Sequence, residues 1–451
     1  MRAAIVLFTR DLRVHDQPAL AAAAAAADRV VPLFVFDRAV LARFGAPNRV
    51  AFLLDALRDL DASLRKRGGA LFVGEGDVVE QVMRLAVESR AEAIFLSEDV
   101  SAYAQARELA LRTACDSARL ALNVLPGVTV IPPGDLAPVG ADCYRVFTPY
   151  WRRWHGAPRR TVVAAPRKLA LPGRLARGKL PGLAGVVRGA VSPELPRGGE
   201  TESRRRLARW LGRGLAGYDR LHDDLAADGT SRLGAYLHLG CLSPLELVER
   251  ASDRDGAEPF VRQLCWRDFY AQLLAARPEI SHADFRARGH RWRDDPEAFA
   301  AWKDGRTGYP IIDAGMRQLA REGFMHNRAR LLTASFLTKD LYLDWRLGAA
   351  HFADLLVDGD VANNSGNWQW VAGTGVDTRP NRVFNPTSQA KRFDPEGAYV
   401  RRYVPELADV GGAAVHEPWK LARRPKGYPA PIVDHAEAVA RLRRLTAYSG
   451  T

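Results

Sequence analysis

The sequence lacks long hydrophobic runs and is poor in cysteine. No stretch of its 451 residues approaches the ~18 uninterrupted apolar residues of a membrane-spanning helix, so we expect no membrane partner. The chain enters a strand-like segment at once, without the leader of a secreted protein, which predicts a cytoplasmic location. The cysteines are too widely spaced for a zinc or redox motif. We interpret all four as reduced, packed thiols: Cys115, Cys143, Cys241 and Cys265.

Several common catalytic motifs are also missing. The first strand-like segment is not followed by Gly-x-Gly-x-x-Gly, and no Gly-x-x-x-x-Gly-Lys-Ser/Thr loop occurs, which argues against nicotinamide dehydrogenases and P-loop enzymes. There is no His-Glu-x-x-His pair, and the ten histidines are dispersed without ligand spacing. The sequence therefore predicts no metal site.

Charge is the first positive feature, because the formal net charge is +13. A basic excess of this size suggests a polyanionic partner. Residues 151–200 alone hold eleven Lys or Arg and two acidic residues, a local excess of +9. The same stretch is rich in Pro and Gly, which is typical of an inter-domain connector. A solvated basic linker and a nucleic-acid contact both remain open for it.

Hydrophobic periodicity divides the chain into two halves. Strand-like runs alternate with amphipathic helical segments up to about residue 128, which predicts an α/β domain with a Rossmann-like parallel sheet. The predicted strands are Ala3–Phe8, Val30–Phe36, Ala70–Val73, Ala93–Leu96 and Ala121–Leu125. Helical periodicity dominates later, as in Pro259–Ala276 and Tyr309–Glu322. We expect an α/β domain over 1–128, a connector over 129–200 and an all-α domain over 201–451.

Tryptophan is concentrated in the predicted all-α domain, where six of the ten lie between Trp266 and Trp370. Such rings can stack on a base or a flavin, relay electrons, or simply fill a core. The segment Asp358–Trp370 packs two carboxylates, three Asn and two Trp into thirteen residues, which few plain cores tolerate. This density favours a site for a flat heteroaromatic ligand with a polar tail, with a surface loop as the alternative.

That segment and four others resemble the flavin domain of the photolyase and cryptochrome family. The four are Gly229–Leu233, Trp266–Tyr270, Trp302–Pro310 and Met325–Arg328. The opening Phe8–Asp16 is similar to the N-terminal strand and loop of the family. The similarity runs in order from about residue 3 to Trp419, with only the connector unmatched. It implies that the all-α C-terminal domain binds FAD.

The resemblance implies FAD in a bent shape deep within the helical domain. The matching cofactor positions are Tyr218, Thr230, Ser231, Arg232, Leu233, Arg267, Asn327, Asp358, Asp360 and Asn364. Hydroxyl and backbone N–H donors at 230–233 suit a diphosphate, and the two carboxylates suit the ribityl and adenosine side. Asn364 is placed to face the flavin N5, where it can accept a hydrogen bond from the reduced ring.

The resemblance also implies light-driven electron transfer. Trp368, Trp345 and Trp292 match the three-tryptophan chain that leads from the flavin to the protein surface. In the repair reaction, one electron passes from excited reduced FAD to a pyrimidine dimer, the cyclobutane ring opens, and the electron returns. Plain core packing is the alternative role for each ring.

The implied substrate is ultraviolet-damaged DNA, whose lesion must be flipped out of the duplex to reach a buried flavin. Trp266 and Trp370 match the residues that cradle the flipped dimer, and Asn327 matches a polar contact on the flavin side. Arg328 and Arg382 match positions that hold the flanking phosphates, a role that does not depend on base sequence.

Gln263 departs from the family pattern, because dimer-splitting members usually place a Glu there. A Gln can hydrogen-bond to the dimer but cannot protonate it. Relatives that repair the (6-4) photoproduct carry this Gln, yet they place paired histidines near positions where this chain has Asn327 and Leu331. We therefore expect the cyclobutane dimer as substrate, with (6-4) repair as the alternative.

The family also implies a second, light-harvesting chromophore in the α/β domain. Phe36, Arg49 and Asp99 resemble the pocket of relatives that use 8-hydroxy-5-deazaflavin, and methenyltetrahydrofolate is the competing cofactor. A surface charge for Arg49 and a helix cap for Asp99 are the alternative roles.

Two other classes of protein stay open. A cryptochrome photoreceptor would use the same flavin and tryptophans for signalling, but it typically carries a long C-terminal extension, and this sequence stops soon after Trp419. A DNA-binding module without catalysis would explain the charge but not the cluster of carboxylates and amides. We expect a monomer.

Overall fold

The computed structural model describes residues 1–173, 175–376, 379 and 381–447. Five strands form one parallel sheet: β1 (Ala3–Phe8), β2 (Arg29–Asp37), β3 (Phe72–Gly76), β4 (Ala93–Ser97) and β5 (Ala121–Leu125). Their spatial order is β3-β2-β1-β4-β5. In the register of β1, Ala3 pairs with Arg29 on one side and Ala4 pairs with Ala93 on the other. Because the strand order reverses here, the carboxyl ends of β1 and β4 form the crevice where such sheets bind ligands.

Several α-helices begin at positions that the sequence marks by capping residues. The side chains of Asp77, Ser243 and Asp295 each accept a hydrogen bond from a first-turn N–H, as good caps do. In chain order the helices are α1 (Pro18–Ala26), α2 (Arg38–Phe44), α3 (Pro47–Arg65), α4 (Val78–Ser89), α5 (Ala102–Ala118), α6 (Phe147–His155), α7 (Glu200–Arg209), α8 (Tyr218–Leu221), α9 (Gly234–His238), α10 (Pro244–Ser252), α11 (Ala257–Ala276), α12 (Pro296–Lys303), α13 (Pro310–Glu322), α14 (Asn327–Ser335), α15 (Trp345–Leu355), α16 (Val361–Ala372), α17 (Pro386–Phe393), α18 (Ala398–Tyr403) and α19 (His435–Ala447).

The chain divides into two compact units. The first comprises residues 1–191, 196–216 and 231–278, and the second comprises 192–195, 217–230 and 279–451. The first unit holds the sheet with α1–α7 and α9–α11, and the second holds α8 and α12–α19. The ranges 1–128, 129–200 and 201–451 follow periodicity and composition rather than contacts, and these domain boundaries stay a prediction.

Each unit has its own hydrophobic core. In the first, Ile5 and Val31 of the sheet pack with Val82 and Leu85 of α4. In the second, the core contains Trp302, Trp345 and Trp368, all at most 2% exposed. Large buried rings are therefore a structural feature of the helical unit, and any functional tryptophan there also contributes to packing.

The predicted fold class is confirmed: a parallel Rossmann-like sheet precedes a helix-rich remainder. β1 and β5 have the predicted bounds, whereas β3 continues through Gly74 to Gly76, which the depletion of Gly in strands obscured. The four cysteines are buried and free, as predicted. Among the described residues, no helix combines the length and apolar character that crossing a membrane requires.

Candidate functional site

Helix α16 carries the polar segment that the sequence singled out. The carboxylate of Asp360 caps it by accepting hydrogen bonds from the Asn363 backbone N–H (3.0 Å) and from Asn363 Nδ2 (2.8 Å), a role worth about 1 kcal/mol. The helix ends at Gly373, whose φ of 85° favours glycine. Asn364 and Trp368 are four residues apart, so they lie on the same face of the helix.

A pocket of the second unit lies against this face. Its polar lining consists of Asn327, Arg330, Asp358, Asn363, Asn364 and Asn367, and its apolar wall includes Leu331, Phe352, Leu356 and Trp368. The structure therefore brings together four of the predicted site residues. These are Asn327, Asp358, Asn364 and Trp368.

Asp358 and Asn364 present hydrogen-bond acceptors in this pocket. Oδ2 of Asp358 accepts from Arg330 Nη2 at 2.9 Å, while its Oδ1 is buried without a donor among the described residues. Leaving a buried acceptor unpaired costs about 1–3 kcal/mol, so this oxygen suits a ligand hydroxyl or ring N–H. Asn364 Nδ2 donates to the Ala349 carbonyl at 2.9 Å, and its amide oxygen remains an acceptor.

The other predicted flavin contacts are divided between the two units. In the second unit, Tyr218 is buried at the start of α8, and Thr230 Oγ1 is buried without a protein partner in the described chain. In the first unit, Arg232 has a φ of 51°, a left-handed conformation that is uncommon for a residue with a side chain and tends to mark functional loops.

Three further predicted flavin contacts lie in the first unit. The Ser231 hydroxyl accepts a long hydrogen bond of 3.4 Å from the Leu233 N–H, and the Leu233 side chain is buried. Arg267 Nη1 donates to the Val128 carbonyl at 2.7 Å. Arg267 is thus anchored to the backbone of its own unit.

The three tryptophans that are predicted to form an electron relay all lie in the second unit. Trp368 contacts Phe352, with ring centroids 5.0 Å apart, and packs against Gly348 of α15. Trp345 begins the same helix and donates from Nε1 to Asp284 Oδ1 at 2.8 Å. Trp292 is half-buried.

Trp266 and Gln263 lie one turn apart on α11 in the first unit. Trp266 is stacked on Phe147 of α6, with ring centroids 3.6 Å apart and planes inclined by 3°. The Arg262 guanidinium lies over the same Phe147 ring at 5.2 Å. Gln263 is exposed. The stack fixes the orientation of Trp266, and sequence periodicity gave no signal for this role of Phe147.

The predicted DNA contacts of the second unit differ in how they are held. Arg382 is exposed and lies over the Trp370 ring at 5.3 Å. Arg328 forms an ion pair with Asp223, with Nη2 and Oδ2 2.5 Å apart, and lies over the Phe393 ring at 4.3 Å. Asn327 is exposed at the start of α14. The structure therefore pairs Arg382 with Trp370, whereas Arg328 is partly neutralised.

The predicted antenna residues lie in the first unit, near the carboxyl edge of the sheet. Phe36 lines a pocket of about 420 Å³ with Arg38, Glu75, Lys179 and other residues. Arg49 and Asp99 lie outside that lining. Arg49 donates to the Phe44 carbonyl at 2.7 Å, and Asp99 lies 3.4 Å from Arg10.

Buried polar groups mark the crevice between β1 and β4. Thr9 Oγ1, Glu98 Oε1 and Arg107 Nε are buried and have no hydrogen-bond partner among the described residues. Burial, followed by nearby carboxylates such as Asp135, raises the pKa of Glu98 to about 7. Perturbed groups with unused polar atoms are typical of ligand sites.

Arg330 is the main pocket residue that sequence reasoning missed. It lies three residues after Asn327 and pairs with Asp358, so it holds a charge that the carboxylate needs when buried. The available signal was its position on the face of α14 that also carries Asn327, since residues three apart share a helix face.

The described residues thus combine a parallel sheet in one unit with an amide-rich pocket in the other. A family model described as the FAD binding domain of DNA photolyase matches residues 260–448, and one described as DNA photolyase matches residues 4–168. The chain belongs to the DNA photolyase family.

Full-length relatives agree with this assignment. The chain is 54% identical over 452 residues to a Streptomyces griseus protein named deoxyribodipyrimidine photo-lyase, covering 98% of this chain and 99% of the relative. The fold of this chain is similar to that of a class III photolyase from Agrobacterium tumefaciens, with a TM-score of 0.93 and 32% identity. The match covers 100% of this chain and 98% of that photolyase. A Sulfolobus tokodaii photolyase with two FAD molecules is similar with a TM-score of 0.88 and 33% identity. The match covers 99% of this chain and 100% of that protein.

Proposed function

We propose that this chain is a light-dependent deoxyribodipyrimidine photo-lyase that repairs cyclobutane pyrimidine dimers in DNA. The pocket of the second unit carries the proposal, because it joins four amides and a buried tryptophan with a half-buried carboxylate, one oxygen of which is buried and has no donor among the described residues. Similarity to a photo-lyase along the whole chain supports the same activity.

The pocket suits FAD by the chemistry of its donors and acceptors. Asp358 Oδ1 would accept from a hydroxyl or ring N–H of the cofactor, and the Asn364 amide oxygen is proposed to face N5. Thr230 would bind the diphosphate through its hydroxyl, which has no partner in the described part of the chain. When bound, reduced and illuminated, FAD supplies the single electron that splits the dimer.

The remaining site residues would bind and orient the lesion. Trp266 is proposed to contact the flipped dimer with the ring face that Phe147 leaves uncovered, and Trp370 to contact it with Arg382 beside it. Gln263 would donate a hydrogen bond to the dimer but could not protonate it. Recognition of the cyclobutane dimer would therefore depend on how the dimer is bound and not on proton donation by this residue. Arg328 and Arg382 would contact phosphates.

The decisive experiment uses defined oligonucleotides that carry either a cyclobutane dimer or a (6-4) photoproduct. We expect blue light to remove the cyclobutane dimer in the presence of the purified protein and reductant, with no loss in the dark. Removal of the (6-4) photoproduct alone would show that the chain repairs that lesion instead of the cyclobutane dimer. Removal of neither lesion by FAD-loaded protein would contradict the enzyme and favour a photoreceptor.

A second experiment tests the proposed relay of Trp368, Trp345 and Trp292. Trp368→Phe should slow photoreduction of bound FAD while sparing repair by protein that is chemically reduced beforehand. Trp419→Phe is the matched control, since this half-buried ring contacts Tyr309 at 5.5 Å and lies outside the relay. Equal photoreduction rates in Trp368→Phe and the unmodified protein would contradict the relay.

We also propose a second chromophore at the carboxyl edge of the sheet, beside Phe36. A volume of about 420 Å³ is within the range of small-molecule pockets. Reconstitution with 8-hydroxy-5-deazaflavin should give energy transfer to FAD, and Phe36→Ala should reduce it. Methenyltetrahydrofolate and a second FAD are the comparison ligands, and binding of none of the three would contradict an antenna. The cytoplasmic location and the monomeric state also remain proposals.

A further inference from the structure

A tyrosine and a histidine lie in mutual contact beside Trp292 in the second unit. The rings of Trp292 and Tyr342 have centroids 5.0 Å apart. His290 is stacked on Trp292 at 4.5 Å with planes inclined by 24°, and its Nδ1 lies 3.1 Å from Tyr342 Oη. The indole, the phenol and the imidazole therefore touch one another pairwise.

The backbone holds this cluster in an uncommon conformation. The Arg293 N–H donates to the Tyr342 carbonyl at 2.9 Å, and Arg293 pairs with Leu343 in an isolated parallel bridge. Tyr342 itself has a φ of 58°, in the left-handed region that bulky residues rarely occupy. Such strain costs about 1–3 kcal/mol and often accompanies function, so the placement of this phenol calls for an explanation beyond packing.

From this contact we infer that Tyr342 is a further redox site, which reduces oxidised Trp292 while His290 accepts the phenolic proton. The inference rests on the proposed function, because the relay is what oxidises Trp292. It extends the path for charge one step beyond the half-buried indole.

The step balances within the three side chains. Trp292 starts as a radical cation that has given one electron toward the flavin. One electron leaves Tyr342 for the Trp292 ring, the Tyr342 O–H bond breaks, and an N–H bond forms at His290 Nδ1. The products are neutral Trp292, a neutral tyrosyl radical and a protonated His290. A thiolate in solution then supplies one electron to Tyr342 by tunnelling and becomes a thiyl radical, while His290 returns its proton to the phenolic oxygen.

The surroundings of the two polar groups favour this coupling. Tyr342 is only 3% exposed, so its phenol cannot pass a proton directly to bulk water. Burial raises the pKa of Tyr342 and lowers the pKa of His290. The phenol therefore stays protonated and the imidazole neutral, with a distance of 3.1 Å that is within reach for proton transfer.

Tyr309 offers a matched control in the same unit. It is also buried and contacts a tryptophan, with its ring centroid 5.5 Å from that of Trp419. Its hydroxyl donates to the Val433 carbonyl at 2.8 Å, and a carbonyl oxygen cannot take up a proton at neutral pH. Loss of an electron from Tyr309 would therefore lack the accompanying proton acceptor.

The test follows radicals after a light flash in FAD-loaded protein, using transient absorption and electron paramagnetic resonance. The unmodified protein should show a tyrosyl radical that forms as oxidised tryptophan decays. Tyr342→Phe should abolish the tyrosyl signal, and His290→Gln should slow its formation by roughly 100-fold, the scale of general base catalysis. Tyr309→Phe should behave as the unmodified protein. A tyrosyl signal that persists in Tyr342→Phe would overturn the inference, as would unchanged kinetics in His290→Gln.

An external photo-oxidant separates this inference from the proposed function. Ruthenium(III) tris(bipyridine), prepared beforehand and mixed with the protein in the dark, oxidises half-exposed tryptophan without exciting the flavin. A Tyr342-dependent radical under these conditions supports the inference even if flavin excitation yields no oxidised tryptophan, which would count against the relay alone. Equal tyrosyl yields in Tyr342→Phe and the unmodified protein would overturn it. Thermal unfolding midpoints confirm that each variant is folded.

Discussion

Asp358 shows how a single residue serves both the fold and the proposed site. One of its oxygens is paired with Arg330 at 2.9 Å, which reduces the cost of burying the charge. The other oxygen is buried without a donor among the described residues. A group that the fold neutralises on one side and leaves unpaired on the other is prepared to receive a ligand.

Asp358→Asn should therefore weaken FAD binding. The variant keeps the shape of the side chain but loses the charge-assisted bond to Arg330 and one acceptor for the cofactor. We expect roughly tenfold weaker binding, equivalent to about 1.4 kcal/mol, measured by quenching of FAD fluorescence on titration. Asp354→Asn is the control, since that side chain is exposed near the end of α15. An unchanged affinity for FAD in Asp358→Asn would contradict a role of Asp358 in cofactor binding.

Asp268 is a buried carboxylate whose pKa predicts how the stability of the protein depends on pH. Its Oδ2 accepts from the backbone N–H groups of Val130 and Ile131 and from Trp154 Nε1. Burial nevertheless raises its pKa to about 6 from an ordinary value of 3.8. Between these values the folded state binds more protons than the unfolded state, so the free energy of unfolding falls as pH rises.

Asp268→Asn removes this titration while keeping an acceptor oxygen for the three donors. As pH rises from the ordinary to the raised pKa of Asp268, the free energy of unfolding of the variant should increase by about 3 kcal/mol relative to that of the unmodified protein. Urea unfolding at a series of pH values measures the difference. Asp255→Asn, an exposed substitution, should give a flat difference. A flat result for Asp268→Asn would show that Asp268 ionises normally.

At the scale of elements, the helices and strands were largely predictable from the sequence. The tertiary contacts between their side chains were not. α11 and α13 lie within two residues of the predicted Pro259–Ala276 and Tyr309–Glu322, because apolar periodicity reflects which face is buried. The stack of Phe147 on Trp266 joins side chains 119 positions apart in sequence, and no local pattern encodes such a contact. Asn364 and Asp358 were found only through the family resemblance and the density of polar residues.

Helix α15 packs against Trp368, a member of the proposed relay, through a glycine. A Cβ at Gly348 would overlap the Trp368 ring and lie 2.6 Å from Leu337 Cδ2. Gly348→Ala should therefore displace Trp368 and destabilise the protein by about 1–3 kcal/mol, as overpacking does. Calorimetry should show a lower unfolding midpoint, and photoreduction should slow. In the control Gly212→Ala, the new methyl meets open space, so its midpoint should be equal or higher. Equal midpoints for both variants would show that Trp368 repacks freely.

At the scale of the whole molecule, the net charge of +13 does not tell which individual cations are available to DNA. Arg328 is engaged by Asp223, and Arg112 is paired with Glu108. Arg382 is exposed and rests on Trp370, so it combines an exposed charge with a ring that we assign to the lesion. Affinity for DNA should depend on such placed charges more than on the total.

Arg382→Gln tests this distinction through salt dependence. Each phosphate contact contributes about 0.9 to the slope of log affinity against log salt concentration on duplex DNA, so the variant should lower the slope by roughly one. The measurement is fluorescence anisotropy in the dark with a duplex that carries one cyclobutane dimer. Arg112→Gln removes an equal charge from the exposed face of α5 and should leave the slope unchanged. If both variants lower the slope equally, the total charge governs binding and Arg382 holds no specific phosphate.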